Sequence, residues 1–172
     1  ARKTGLEWDF GALGTPGRYK LLVALVTPRP IAFVSTRGRD GVDNAAPFSF
    51  FNVLGSKPPI VGICPGDREG MPKDTARNIR LTHEFVVNLV DEALAEPMNR
   101  TAASAPYGTS ELEMAGLTAC PSSVVRPPRI AESPASLECQ EWGTLQIGDS
   151  QLINGLVKRI HAHDAFIDPK TL

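Results

Sequence analysis

Between Pro28 and Asn52 the sequence reads PRPIAFVSTRGRDGVDNAAPFSFFN, and this stretch leaves few folds open. Pro28 and Pro30 forbid helix at its start, because proline lacks a backbone donor and its ring crowds the preceding turn. Ile31 to Thr36 then reads as a strand, and Arg37 to Gly41 as a charged hairpin turn in which glycine supplies the positive φ. The second limb, Val42 to Val53, carries Asn44, Ser49 and Asn52 around Pro47, which cannot donate to a strand ladder. A limb interrupted by Ala45-Ala46-Pro47 is expected to leave backbone N–H groups without sheet partners. Such groups need water or a ligand with acceptor atoms. A β-bulge or an edge kink accounts for the same residues without any ligand.

Fifteen glycines and fifteen prolines punctuate the 172 residues, which favours many short strands over long helices. Residues 1–16 read as an N-terminal arm carrying Trp8 and Phe10, and residues 17–172 as one domain. Tyr19, Leu22, Val23 and Val26 recur at helical spacing and predict a short helix over Arg18 to Val26 with one apolar face. Gly55 to Pro59 reads as a turn and Ile60 to Cys64 as a buried strand. Asp74 or Thr75 is the expected cap of a helix over Ala76 to Leu81. Glu84 to Val90, EFVVNLV, is apolar on both faces apart from Asn88, which places it centrally in a sheet. Asp91 to Arg100 reads as a helix limited or kinked by Pro97, and Ser110 to Ala115 as a turn or two ended by Gly116. Leu137–Ile147 and Gln151–His163 are long strands joined by Gly148-Asp149-Ser150. Seven or so strands with a few short helices predict a mainly β chain, an antiparallel barrel closed wholly or in part.

Charge narrows the partners. A net charge of -1 without a basic run argues against nucleic acid and against an anionic membrane surface. No stretch has the apolar length of a signal peptide core or a membrane span, so a cytoplasmic location is expected. Cys64, Cys120 and Cys139 are odd in number and widely spaced, as suits reduced core thiols. His161 and His163 share a strand face but have no ligand cluster around them, so no metal is expected. Lys73, Asp74 and Thr75 sit at a helix start, where unpaired N–H groups and the positive end of the dipole suit a phosphate. The Asp74 carboxylate is expected to turn onto the helix amides, away from such an anion. A capped helix with a solvated lysine is the plain alternative. Among the common dinucleotide, nucleotide and hydrolase motifs none is present, so an enzyme built on this chain would rely on a cofactor.

The run PRPIAFVST…NAAPFSFFN, followed by KDTARNI, EFVVNLV, SPASLEC and GLVKRIHAH, resembles the flavin reductase-like family in order and content. The resemblance runs from about Tyr19 through most of the chain. It implies an FMN-binding split β-barrel, Greek-key-like, of six strands, and a homodimer with FMN near the dimer interface. It implies that Ser35 and Thr36 meet the flavin ring and ribityl region. The backbone around Ala46, Pro47, Phe48 and Ser49 would face the pyrimidine side, with Asn52 alongside, and Lys73, Asp74 and Thr75 would hold the phosphate. The implied activity is hydride transfer from NAD(P)H to FMN, or to FAD, and onward to an acceptor such as a monooxygenase partner. A flavoredoxin-like electron-transfer protein, reduced by a protein partner, is the alternative within the same resemblance. Members of the family usually carry a Leu-Gly-Gly-x-Tyr-like ending, which this sequence does not contain.

Overall fold

The computed structural model describes residues 5–67, 70–103, 106 and 108–171. The first half runs α1 (Thr15–Leu25), β1 (Ala32–Arg37), β2 (Asp43–Phe48), β3 (Phe51–Ser56), β4 (Pro59–Ile63), α2 (Asp74–Thr82) and β5 (Glu84–Asn88). The second half runs α3 (Glu92–Arg100), α4 (Glu111–Ala115), β6 (Ala119–Cys120), β7 (Arg129–Ile130), β8 (Ala135–Ile147) and β9 (Ser150–Ala162). One antiparallel sheet takes the order β2-β1-β5-β8-β9-β4-β3, with β6 and β7 as a separate ribbon. The end strands β2 and β3 are joined by Ser49 and Phe50 alone, so the sheet has to curl until its two edges approach. That closure makes the barrel, and its main sheet has seven strands where the resemblance implies six.

The β1–β2 hairpin forms where the sequence places it, around Gly41 at φ +86°, with the Gly38 N–H donating to Val42 O at 2.9 Å. Its second limb differs from expectation. Pro47 does not interrupt the strand: it sits opposite Phe33 in a register unbroken from Ala32↔Phe48 to Arg37↔Asp43. An end strand needs ladder donors on one side only, so a proline facing outward costs no sheet bond. The break comes at Ser49 and Phe50, where the chain crosses from β2 to β3.

Two apolar clusters lie on opposite faces of the sheet. Ala32, Val34, Phe48, Val61, Ile63, Phe85, Val87 and Ile153 pack inside the barrel with Ala76 and Ile79 of α2. Phe33 and Ala45 point the other way, into Leu94 of α3, Leu112 of α4 and Ile130 of β7. Burial on both faces explains why β1 and β5 read as continuous apolar runs. Gly155 on β9 is needed for space: a Cβ there would lie 2.3 Å from Phe85 Cζ. The β8–β9 hairpin pairs from Ala135↔Ala162 to Ile147↔Ser150, and register shifts at Glu138/Cys139 and Glu141/Gly143 bend it along the barrel wall.

Asn88 is a polar node in the most apolar strand. It is fully buried and uses all four of its hydrogen-bonding positions. Its amide donates to Phe33 O at 3.0 Å and Ser35 Oγ at 3.1 Å, and its Oδ1 accepts from Ile130 N at 3.0 Å and Ser136 Oγ at 2.9 Å. One side chain thereby ties β5 to β1, β7 and β8.

Two helical expectations need correction. Helix α1 forms, but none of its residues is buried, and Tyr19 and Leu22 are 57% and 50% exposed. Leu21, Ala24 and Leu25 fill the gaps in the apolar pattern, so the helix has no polar side to define an inward face. Helix α2 begins at Asp74, so the cap position belongs to Lys73, whose side chain makes no capping bond. Helices α3 and α4 are capped by Asp91, which accepts from Leu94 N at 3.0 Å, and Ser110.

Glu138 on β8 is fully buried. It accepts from the backbone N–H groups of Ser123 and Val124, both at 2.7 Å, and bonds His161 Nε2 at 2.6 Å. Burial alone would raise its pKa, but the two backbone donors and His161 together outweigh that and hold it below the ordinary 4.5. A depressed folded-state value contributes stability that is present above pH 4.5 and is lost as pH falls through the folded pKa. Glu138→Gln should therefore cost about 2–3 kcal/mol at neutral pH. That cost should shrink below pH 4.5, measured by urea unfolding of both proteins across the acid range. A difference independent of pH would contradict this account.

Candidate functional site

The outward edge of β2, the start of α2 and the start of α4 converge on one cleft of about 250 Å³. From β2 come Asn44, Ala46, Pro47 and Phe48, and from the α2 start come Lys73, Asp74 and Thr75. Glu111 of α4 closes the side. A second cavity, of about 510 Å³, is lined by Tyr19, Ser49 and Phe50 and shares Pro47, Phe48 and Lys73 as a wall with the first. Cavities of this order suit small-molecule and cofactor sites, for which about 300–1,000 Å³ is usual.

The cleft is held by hydrogen bonds between buried side chains. Asn44 Nδ2 donates to Thr75 Oγ1 at 3.1 Å, joining β2 to α2. Asn78, one turn into α2, donates to Thr36 Oγ1 at 3.0 Å and so fixes the helix to β1. The Lys73 ammonium lies 5.5 Å from the centroid of the Phe48 ring, within cation–π range. The α2 N-terminus thus meets the cleft with its first-turn N–H groups uncapped by the Lys73 side chain.

The sequence-predicted residues do not all gather here. Ala46, Pro47, Phe48, Lys73, Asp74 and Thr75 share the cleft, while Ser49 lines the adjoining cavity. Asp74 lines the cleft as the first residue of α2, rather than serving as its cap. Ser35 and Thr36 are fully enclosed beneath it. Ser35 Oγ donates to Pro128 O at 2.5 Å and accepts from Asn88, and Thr36 accepts from Asn78. Asn52 is exposed on β3, where its Oδ1 accepts from the Val53 N–H at 2.8 Å. Asn44 was visible as a polar residue in the limb, but its bond to Thr75 spans 31 residues. Glu111 had no signal beyond its place at a helix start.

Glu111 is 8% exposed. Burial pushes its carboxyl above the ordinary 4.5, the charge of Asp74 adds to this, and the backbone N–H groups of Glu111 and Ala45 oppose it. An outward Ala45 N–H also places Pro47, two residues along, on the outward side of β2.

Burial disfavours the thiolate at two of the three cysteines. Burial, with a contribution from Glu138, pushes Cys139 up to about 12, and burial with the charge of Asp149 raises Cys64. Cys139 alone is fully buried; Cys64 and Cys120 are half-buried. Among the described residues no group of three His, Cys, Asp or Glu side chains could hold a metal ion. No helix among them is long and apolar enough to cross a membrane. Thr75→Val should leave the buried Asn44 amide unpaired and cost about 1–3 kcal/mol. Thermal and urea unfolding check this, and an unchanged stability would show that the bond does not hold α2 to β2.

Comparison with known proteins places the fold. The model of the flavin reductase like domain matches residues 24–171. An uncharacterised protein of Deinococcus radiodurans is 46% identical over 156 residues, which is 88% of this chain and 69% of that protein. The chain spans about two thirds of the length of the curated relatives it matches. Nitrilotriacetate monooxygenase component B from Bacillus cereus superposes with a TM-score of 0.92 at 32% identity, covering 96% of this chain and 85% of its own. The 2-nitrobenzoate 2-nitroreductase of Pseudomonas fluorescens superposes with a TM-score of 0.89 at 32% identity, covering 97% and 81%.

Proposed function

This chain belongs to the flavin reductase-like family, and we propose that it is an oxidoreductase that binds FMN in the cleft between β2 and α2. Bound there, FMN would supply the redox chemistry, taking a hydride from NAD(P)H and passing two electrons to an acceptor. The observation that carries this reading is the convergence of an uncapped helix N-terminus, Lys73 and the outward edge of β2 on one cleft. The helix start and the ammonium suit a phosphate, and Lys73 offsets the charge of Asp74 beside it. Phe48 and Pro47 offer an apolar wall for a ring, and the buried Oε2 of Glu111, which has no hydrogen-bond partner among the described residues, fits a polar ligand better than an empty apolar pocket.

Each residue then has a task that its position supports. Lys73 and the first-turn amides of α2 hold the phosphate, and the backbone of Ala46 to Ser49 orients the ring. Thr75 keeps its hydroxyl fixed by the bond from Asn44. Ser35 and Thr36, being enclosed, act by holding β1 and α2 in place and not by touching the ring. Asn52 lines a neighbouring cavity with Ser49 and Phe50, alongside the proposed ring position. FAD carries the same ring and ribityl groups and is the second candidate ligand.

The reading includes a homodimer. Leu54 on β3 is 53% exposed and Leu145 on β8 is 59% exposed, both on the sheet face that carries Leu152, and apolar surface of this kind suits a covered face. The acceptor is free flavin, a monooxygenase partner or another reducible compound, and the proposed place of action is the cytoplasm.

Purified protein supplied with FMN should oxidise NADH or NADPH with saturation kinetics, faster than free FMN alone. Lys73→Ala should weaken FMN binding by about 1.5–3 kcal/mol through loss of a charge-assisted bond. Retained FMN without NAD(P)H oxidation would favour an electron carrier reduced by a protein partner. An FMN dissociation constant unchanged in Lys73→Ala would remove Lys73 from the site.

A further inference from the structure

Glu111 is buried against the outward edge of β2, and the structure satisfies only part of its carboxyl group. Its own backbone N–H and that of Ala45 serve it as donors. Its Oε2 is buried and has no hydrogen-bond partner among the described residues. The same side chain lines the cleft with Lys73, Asp74 and Thr75. Folded proteins seldom leave a buried carboxylate oxygen unmet, because it has given up its hydration and received nothing in return. Neighbouring side chains among the described residues do not supply that donor: the Asn44 amide donates to Thr75 instead, and the Lys73 ammonium makes no bond to Oε2. The missing donor is therefore expected from a ligand in the cleft.

We propose that Glu111 is a flavin-binding residue, its Oε2 accepting a hydrogen bond from a neutral N–H or O–H of the flavin. This rests on the flavin reading above. A fully ionised phosphate is excluded as the donor to Oε2, because it carries no O–H and the carboxylate would repel it. Two flavin groups have the required chemistry, the ring N3–H and the ribityl hydroxyls, and ligands lacking one of them separate the two.

The sign of the pH dependence follows from the site. Burial and Asp74 raise the carboxyl's ionisation above the ordinary carboxylate range. The ionised form is the stronger acceptor, so a flavin donor binds more tightly as pH rises through that ionisation and binding releases a proton. Asp74 and Lys73 are the other titratable groups among the described residues lining the cleft. Riboflavin is the suitable probe, since it lacks the phosphate that would itself titrate near neutrality.

The experiment measures dissociation constants of riboflavin and lumiflavin by fluorescence quenching, for the wild type and Glu111→Gln, from about pH 5 to 9. Glutamine keeps an oxygen for the Ala45 N–H but presents an NH₂ group to the cleft. At the upper end of the range, Glu111→Gln should bind riboflavin about 10- to 100-fold more weakly than the wild type, with a flattened pH profile. Loss with both ligands identifies N3–H, and loss with riboflavin alone identifies the ribityl chain. Unchanged riboflavin binding in a folded variant overturns the assignment of Glu111 while leaving the flavin reading intact. A wild type that binds neither riboflavin nor FMN overturns that reading itself, and the role of Glu111 with it. Should Glu111→Gln fail to fold, the wild type decides with flavins that lack a donor: weaker binding of N3-methyl-lumiflavin than of lumiflavin, or of lumiflavin than of riboflavin, is expected, and equal binding of all three refutes the role.

Discussion

The architecture depends on one buried amide. Asn88 sits in the strand richest in apolar residues, and it is tolerated there because every donor and acceptor it owns is used. A partly satisfied amide in that position would be costlier than an apolar residue. Its bonds fix β1 through Phe33 and Ser35, β7 through Ile130, and β8 through Ser136. With β1 held, β2 follows by a six-residue antiparallel register, and the closure at Ser49 and Phe50 brings the two sheet edges together.

The cleft is a consequence of that closure. Because β2 ends the hydrogen-bonded sheet, its outward side is available to other groups. Helix α2 is tied to the same region twice, through Thr36–Asn78 and Asn44–Thr75, so its N-terminus is aimed by hydrogen bonds as well as by packing. Helix α4 reaches the outward backbone at Ala45 through the Glu111 carboxylate. The Lys73 charge, strand backbone and a buried carboxylate thus meet at one cleft without a dedicated loop motif.

Much of this was legible in the sequence, in proportion to how local its causes are. The hairpin at Gly41, the central strand at Glu84 and the long β8–β9 pair depend on residues within each element, and they form as read. Cap positions and strand ends moved by a residue or two: α2 begins at Asp74 because the chain turns at Lys73, a residue type with no capping preference. Pro47 misled because local sequence does not say which strand will stand at the end of a sheet. Helix α1 misled because Leu21, Ala24 and Leu25 fill the gaps between the residues at helical spacing, so no single apolar face stands out. The enclosure of Ser35 and the roles of Asn44, Asn88 and Glu111 were hidden for a common reason. Their partners lie far away in sequence and meet only after the barrel closes. The residues of KDT and NAAPF, which the resemblance names, meet at one cleft, while Ser35 and Thr36 are enclosed and Asn52 lines a neighbouring cavity with Ser49.

The central claim is that this cleft holds a flavin. Its most direct test is the visible absorption spectrum of the purified protein after incubation with FMN and gel filtration. Stoichiometric flavin retained on the wild type, and reduced on Lys73→Ala, is the result this account predicts. A protein that stays colourless and does not accelerate NAD(P)H oxidation with free flavin would contradict it.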